Sequence, residues 1–363
     1  YNKMRVLHII NSLRMGGAEK LLADSLPLYQ QFDVEVDLLL LDAENTPFLD
    51  ELKQKFIGEI FTTKVKNCYS PLQILAIRKY IKNYDLVHCH LFPVLYWTAI
   101  AKMFFDRSKK LIFNEHNTHN RRLSNSLFLY IDRFIYLFYE KIIAITPQVE
   151  KILIEKLKLS PQKVEIVYNG LLIQQYQDAQ PYHKTEFFAE DDKIIIQISR
   201  FQLQKDQKTL IKALTLLPNQ YKLLLVGDGE LRPDCEKLAV ELNLQNRIRF
   251  LGNRTDIPRL LKTADIAVQS SHWEGFGLSA VEAMASGKPI IASDVAGLGD
   301  VVRGYGLLFE KENAHHLAQQ ILSLENPELC QKVIEKVKRR ASDFHISKMV
   351  EHYIKIYRNL DNE

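Results

Sequence analysis

Ser270–Gly299 reads SSHWEGFGLSAVEAMASGKPIIASDVAGLG, and its pattern decides the architecture. It spells a buried strand end, a glycine loop, a short helix, a turn and a second buried strand. Gly275 and Gly277 bracket Phe276 just before the helix opens at Leu278, Glu274 lies in the loop, and Glu282 follows on the helix. A helix N-terminus preceded by glycines presents unpaired N–H groups and a partial positive charge. That suits a phosphate or another anion. Phosphate alone has no use for two flanking carboxylates. Ionised carboxylates only accept hydrogen bonds, so they fix hydroxyl donors. The loop therefore suits a ligand with both phosphates and hydroxyls, and a nucleotide sugar carries a diphosphate, a ribose and a hexose.

Outward from this stretch, strands alternate with helical periods. On its own half the strands are KIIIQIS, YKLLLVG, RIRFLG, DIAVQSS, KPIIASD and GLLF. The spacing predicts helices over Gln207–Leu217, Glu230–Leu242, Ile257–Thr263, Leu278–Ser286, Ala314–Leu324 and Pro327–Ser342. In the first half RVLHII, VEVDLLLL, EIFTT, DLVHCHL, KLIFNEH and KIIAIT are separated by helical patterns at 18–31, 48–55, 72–82, 94–105, 123–139 and 148–158. Strict alternation predicts doubly wound parallel sheets. The chain thus reads as α/β, with two facing Rossmann-like domains and a cleft between them. The Asn169-Gly170 turn and the polar LLIQQYQDAQPYHKTEFFAEDD have the composition of a linker. The expected domains are 1–172 and 173–345, followed by an amphipathic C-terminal helix at 346–360.

Ligands in such sheets bind beyond the carboxyl ends of strands. That rule singles out His90 after DLVHC and Asn114-Glu115-His116 after KLIF, while Gly16 and Gly17 after RVLHII read as a tight turn that lets a backbone come close to a ligand or to the neighbouring strand. His119 and Asn120 lie within reach of the same edge. His88-x-His90 hints at a metal, but no third ligand stands nearby, and His8 reads as core. In the second half Arg200 and Lys205 follow the first strand on one loop, where two cations can neutralise a diphosphate. Gly227-Asp228-Gly229 makes a tight turn, with Glu230 expected to open the next helix where its dipole favours a carboxylate.

Glu274-x7-Glu282 with GFGL inside it, followed by EAMASGKPIIAS, resembles the signature of the family 4 glycosyltransferases. The resemblance implies the GT-B fold and a retaining enzyme that uses a nucleotide-diphosphate sugar, UDP favoured over GDP. SRF-x3-KD then matches the family's diphosphate loop, which assigns Arg200 and Lys205. It places His116 at the transferred sugar, the Gly16-Gly17 turn near the donor phosphates and acceptor, Gly227 in the nucleotide pocket, and Gly252 and Asn253 at the base. Asn169 joins the substrate-binding set. The main chain of Gly275, Phe276, Gly277 and Leu278 would hold the diphosphate, Glu282 the ribose and Glu274 the sugar, as an orienting group or as a nucleophile. No cofactor or metal is implied, and no D-x-D stands where a metal-bridged diphosphate would want one. The last helix would pack back on the first domain. A glycan or lipid-linked acceptor, in cell-surface polysaccharide synthesis, fits the family's habits.

The chain has 363 residues, net charge +4 and 25% charged residues, a balance too weakly basic for nucleic acid but compatible with an anionic substrate or membrane surface. Its four cysteines are scattered, which predicts a reducing cytoplasm without a disulfide framework. No signal peptide is read at the start. YSPLQILAIRKYIKNY and RRLSNSLFLYIDRFIYLFYEK combine aromatic or aliphatic residues with Arg78, Lys79, Lys82, Arg121, Arg122, Arg133 and Lys141. Each is read first as a helix covering the core, with attachment to the inner face of an anionic membrane as the other reading. Two rival functions stay open: a sugar-nucleotide epimerase of the same shape, and a non-catalytic glycan- or nucleotide-binding partner.

Overall fold

The structure, a computed structural model, describes residues 3–14, 16–42, 44–116 and 126–362. The chain divides into two compact units, Tyr1–Gly170 with Ile346–Glu363, and Leu171–His345. Strands β1 (Met4–Ile10), β2 (Val34–Leu40), β3 (Ile60–Thr62), β4 (Leu86–His90), β5 (Lys110–Glu115), β6 (Lys141–Ala144) and β7 (Val164–Ile166) build the first. They form a parallel sheet of order β3-β2-β1-β4-β5-β6-β7. The second contains β8 (Lys193–Ile198), β9 (Tyr221–Val226), β10 (Ile248–Phe250), β11 (Ile266–Gln269), β12 (Ile290–Ser293) and β13 (Leu307–Phe309). Its order is β10-β9-β8-β11-β12-β13, again parallel. Runs such as Val6-Leu7 and Ile194-Ile195-Ile196 are wholly buried because helices cover both faces of a parallel sheet. The strand order reverses between β1 and β4 and between β8 and β11, where open α/β sheets place ligands.

Several elements differ from the sequence expectation. The first helix ends at Ser25 and continues as a 3-10 turn over Leu26–Gln31, because Pro27 cannot donate to an α-helical ladder. The helix after β9 starts at Arg232, so Glu230 lies in the preceding turn rather than opening the helix. The polar stretch expected as a linker is packed onto the second unit. Tyr176 is buried, Tyr182 Oη donates to Asp256 Oδ2 at 2.5 Å, and Lys184 Nζ pairs with Asp265 Oδ2 at 2.8 Å. Helix Ile346–Asp361 belongs to the first unit and buries Met349, Val350, Tyr353, Ile354, Tyr357 and Leu360, a stripe at helical spacing.

The two amphipathic stretches do not simply cover core. On helix Ser126–Tyr136 only one side is buried, through Asp132, Ile135 and Tyr136. Tyr130 and Phe134 stand exposed, as does Leu137 just beyond it. Helix Val94–Phe105 packs beside it and exposes Phe104, and helix Leu72–Ile81 packs beside that one and exposes Leu72 and Leu75. The Arg78 guanidinium lies 4.2 Å from the centre of the Phe105 ring. Arg121 and Arg122 lie outside the described residues. Among the described residues no helix is long and apolar enough to cross a membrane.

Candidate active site

The loop after β8 and the loop after β11 meet around one buried ion pair. Lys205 Nζ pairs with Glu274 Oε1. Ser271 Oγ donates to the same carboxylate at 2.9 Å, and the amides of Gln204 and Gln269 approach it at 3.4 Å. Glu274 is 6% exposed. A buried carboxylate persists only with such a shell, since an uncompensated charge there is expensive. The loop backbone is held from the sheet. Gln197 Nε2 donates to the Lys205 carbonyl at 2.9 Å, and Ser270 Oγ donates to the Asp206 carbonyl at 2.8 Å. Asp206 adopts φ 44° and caps helix Gln207–Leu214 by accepting from Thr209 N at 3.3 Å. Arg200, five residues upstream on the same loop, is exposed, and its guanidinium has no partner among the described residues.

Two glycines shape this loop pair. Gly277 caps helix Leu278–Ala285 at φ +89°, and a Cβ there would lie 2.6 Å from Leu298 Cδ1. Gly297 has φ +81°, and its Cβ would lie 2.3 Å from the carbonyl oxygen of Glu274. In the first turn the Ala280 N–H already donates to the Gly277 carbonyl at 2.9 Å, so the N–H groups with no acceptor inside the helix are those of Leu278 and Ser279. Phe276 is buried, with its ring 5.2 Å from that of Phe344, so a ligand at this position can meet only main chain. Within the helix Glu282 Oε1 accepts from Tyr176 Oη at 2.6 Å. Gly227 N donates to the Gly252 carbonyl at 2.8 Å, which joins the turns after β9 and β10 and leaves Asn253 exposed beside them.

In the first unit the signal is a buried polar cluster at the β1/β4 switch point. His8 on β1 joins His88 and His90 on β4, so the third imidazole that the sequence reading did not find stands close by. The three have ring nitrogens within 4.8 Å of one another. Their nitrogens already serve hydrogen bonds. His8 Nδ1 lies 3.0 Å from His90 Nε2, His88 Nδ1 lies 2.6 Å from Tyr357 Oη, and His88 Nε2 lies 2.8 Å from Asn114 Oδ1. Burial depresses all three pKa values, His88 to about 3. His116, just past β5, is likewise held at about 4 by burial, and its Nε2 has no partner among the described residues. It is a neutral imidazole with an unused hydrogen-bonding position. Asn169 is buried in the same unit, its Oδ1 also unpartnered. Gly16 caps the first helix, which begins at Gly17. His119 and Asn120 lie outside the described residues.

Thus the second unit brings Lys205, Glu274 and the glycine loop together, with Arg200 nearby on the same chain segment. The first unit holds His116 separately. Sequence reasoning missed Gln197, Gln204, Gln269, Ser271, Gly297 and Tyr176. One signal was present: KIIIQIS and DIAVQSS each carry a glutamine inside an apolar strand, and a buried amide demands partners.

Two family profiles match the chain: Glycosyltransferase Family 4 over residues 15–174 and Glycosyl transferases group 1 over residues 178–340. An uncharacterized glycosyltransferase of Methanocaldococcus jannaschii is 32% identical over 286 residues, covering 77% of this chain and 76% of the relative. The N-acetylgalactosamine-N,N'-diacetylbacillosaminyl-diphospho-undecaprenol 4-alpha-N-acetylgalactosaminyltransferase of Campylobacter jejuni is 26% identical over 360 residues, covering 95% and 97% of the two chains. Among solved structures, Anabaena HepE in complex with UDP and glucose superposes with a TM-score of 0.87 at 24% identity, covering 98% of this chain and 100% of HepE. The two parallel sheets are those of the GT-B fold, and the chain belongs to the family 4 glycosyltransferases.

Proposed function

We propose that the enzyme is a retaining transferase that moves a sugar from a UDP-sugar to a lipid-linked or glycan acceptor, at an anionic membrane surface and without a metal, in cell-surface polysaccharide synthesis. The observation that carries this reading is the exposed Arg200 guanidinium, without a partner among the described residues, on the loop of the buried Lys205–Glu274 pair. In this reading Arg200, Lys205 and the main-chain N–H groups at Phe276–Leu278 take the diphosphate and stabilise its charge as it leaves. Electrostatic stabilisation of this kind is usually the largest single term in catalysis. Glu282 accepts from the ribose, and Glu274, already gripped by its donors, orients sugar hydroxyls instead of attacking carbon. The acceptor hydroxyl bonds to the anomeric carbon on the face from which the diphosphate departs, and its proton passes to the departing phosphate oxygen. His116, on the other unit, serves the transferred sugar through its neutral ring.

The donor assignment is supported by UDP and glucose in the complex with the HepE neighbour, and the lipid-linked acceptor by the diphospho-undecaprenol in the Campylobacter relative's name. The exposed aromatic and cationic residues on helices 72–81, 94–105 and 126–136 support the membrane surface. The test is a thermal-shift panel with UDP, GDP and ADP on wild type and Arg200→Ala. A ligand at a hundred times its dissociation constant stabilises by about 2.7 kcal/mol. The expected result is a shift with UDP that shrinks in the variant. A GDP shift in its place reassigns the base, and no shift with any of them removes the donor site. Anomeric NMR of the transfer product tests retention.

A further inference from the structure

The buried cluster of the first unit contains a hydrogen-bond chain with one direction. Burial keeps His88 neutral, so it carries a single ring proton. Asn114 turns its amide oxygen to His88 Nε2 at 2.8 Å and donates from Nδ2 to Tyr353 Oη at 2.6 Å. That oxygen can only accept, so the His88 proton is on Nε2 and its Nδ1 must accept. Tyr357 Oη, 2.6 Å away, therefore donates to Nδ1. With its proton committed, Tyr357 accepts from Tyr29 Oη at 3.2 Å and from His8 Nε2 at 3.3 Å. His8 Nδ1 then accepts from His90 Nε2 at 3.0 Å. All three imidazoles carry their proton on Nε2, and the two phenols that fix the pattern stand on helix Ile346–Asp361.

Asn114 is the residue held from both sides. It lies on β5 immediately before Glu115, whose Oε2 accepts from Tyr136 Oη at 2.7 Å, and His116 ends the same segment. We propose that Tyr353 and Tyr357 are positioning residues for the transfer reaction, acting through His88 and Asn114 to fix the strand end that presents His116. This rests on the reading of His116 as a residue that serves the sugar or acceptor. A bound metal is the competing use of the three imidazoles, and it would need lone pairs that the chain spends on hydrogen bonds.

The test compares Tyr353→Phe and Tyr357→Phe with Tyr29→Phe. Each removes one buried phenol oxygen from the cluster, but Tyr29 touches neither His88 nor Asn114 and only donates into Tyr357, whose own bond to His88 stands without it. The expected result is that Tyr353→Phe and Tyr357→Phe lower kcat/KM for the acceptor about ten- to a hundredfold, the scale on which small displacements in an active site are felt. The UDP thermal shift, a property of the second unit, stays at its wild-type value, and Tyr29→Phe leaves both unchanged. Equal kinetics in all three variants overturn the proposal and leave the cluster a structural one. Loss of the UDP shift in wild type is a failure of the donor reading and is scored apart. Long-range proton–nitrogen NMR of histidine-labelled protein reads the tautomers directly. Any of His8, His88 or His90 protonated on Nδ1, or a stoichiometric metal in the purified protein, also overturns the proposal.

Discussion

Arg200 and Lys205 carry the same charge on one loop, yet their removal has different consequences. Arg200 has no partner among the described residues, so Arg200→Ala leaves stability within about 0.5 kcal/mol of wild type. Its catalytic loss, about 10²–10³ in kcat, is that of one group stabilising transition-state charge. Lys205→Ala strands the buried Glu274 carboxylate and destabilises the enzyme by about 3–5 kcal/mol as well. Chemical denaturation and steady-state kinetics on the two variants separate these outcomes, and equal stabilities would refute the buried pair. Gly297→Ala forces a methyl toward the Glu274 carbonyl at positive φ, and costs about 1–3 kcal/mol on the same denaturation assay. At this scale the charged positions came from the resemblance, since SRF-x3-KD and Glu274-x7-Glu282 single out Arg200, Lys205 and the two carboxylates as matches to the family pattern, and the structure pairs Lys205 with Glu274. Their neutral supports were not legible: Ser271 and Gln204 sit in loops where a polar residue needs no explanation until the carboxylate beside it is seen.

Secondary structure was legible wherever apolar runs were long, and the parallel sheets follow from strands such as KIIIQIS that bury both faces. What periodicity does not encode is which apolar face another element covers. Helix Ser126–Tyr136 has the pattern of a core helix, but Tyr130 and Phe134 face solvent together with Phe104 of the neighbouring helix. If that surface meets a bilayer, co-sedimentation with phosphatidylglycerol vesicles exceeds that with phosphatidylcholine vesicles and falls as salt rises. Tyr130→Ser with Phe134→Ser weakens it, while Lys79→Ala removes about 1 kcal/mol of attraction. Binding indifferent to lipid charge would refute the surface. The supposed linker shows the same limit from the other side. Its polar composition hid Tyr176 and Lys184, each of which finds a partner in the second unit.

For the molecule as a whole, the buried imidazoles set an acid limit. Unfolded, each titrates near its ordinary value of 6.5; folded, His116 does so only at about 4 and His88 at about 3. Between these values the unfolded chain binds more protons, so stability falls as pH falls. The contribution is complete above 6.5 and is lost progressively toward 4. Each unit of depression is worth about 1.4 kcal/mol per histidine. The groups hydrogen-bonded around His8, His88 and His90 are one another, Tyr29, Asn114, Tyr353 and Tyr357. Urea midpoints that stay flat between about pH 7 and 5 would contradict it.

The docking of helix Ile346–Asp361 on the first sheet also sets an order of events during synthesis. The ribosome completes β7 and then makes all of Leu171–His345 before Tyr353 and Tyr357 exist. Throughout that interval His8, His88 and Asn114 lack the phenols that satisfy them, and the apolar seat of Val350 and Ile354 is bare. The second unit, contiguous in sequence, has no such wait. Domains otherwise tend to mature from the N-terminus onward as they emerge. Here the first unit to be translated is the last to be finished. A fragment of residues 1–170 made alone is therefore expected to aggregate, and a peptide of residues 346–361 supplied during its refolding to restore a soluble species.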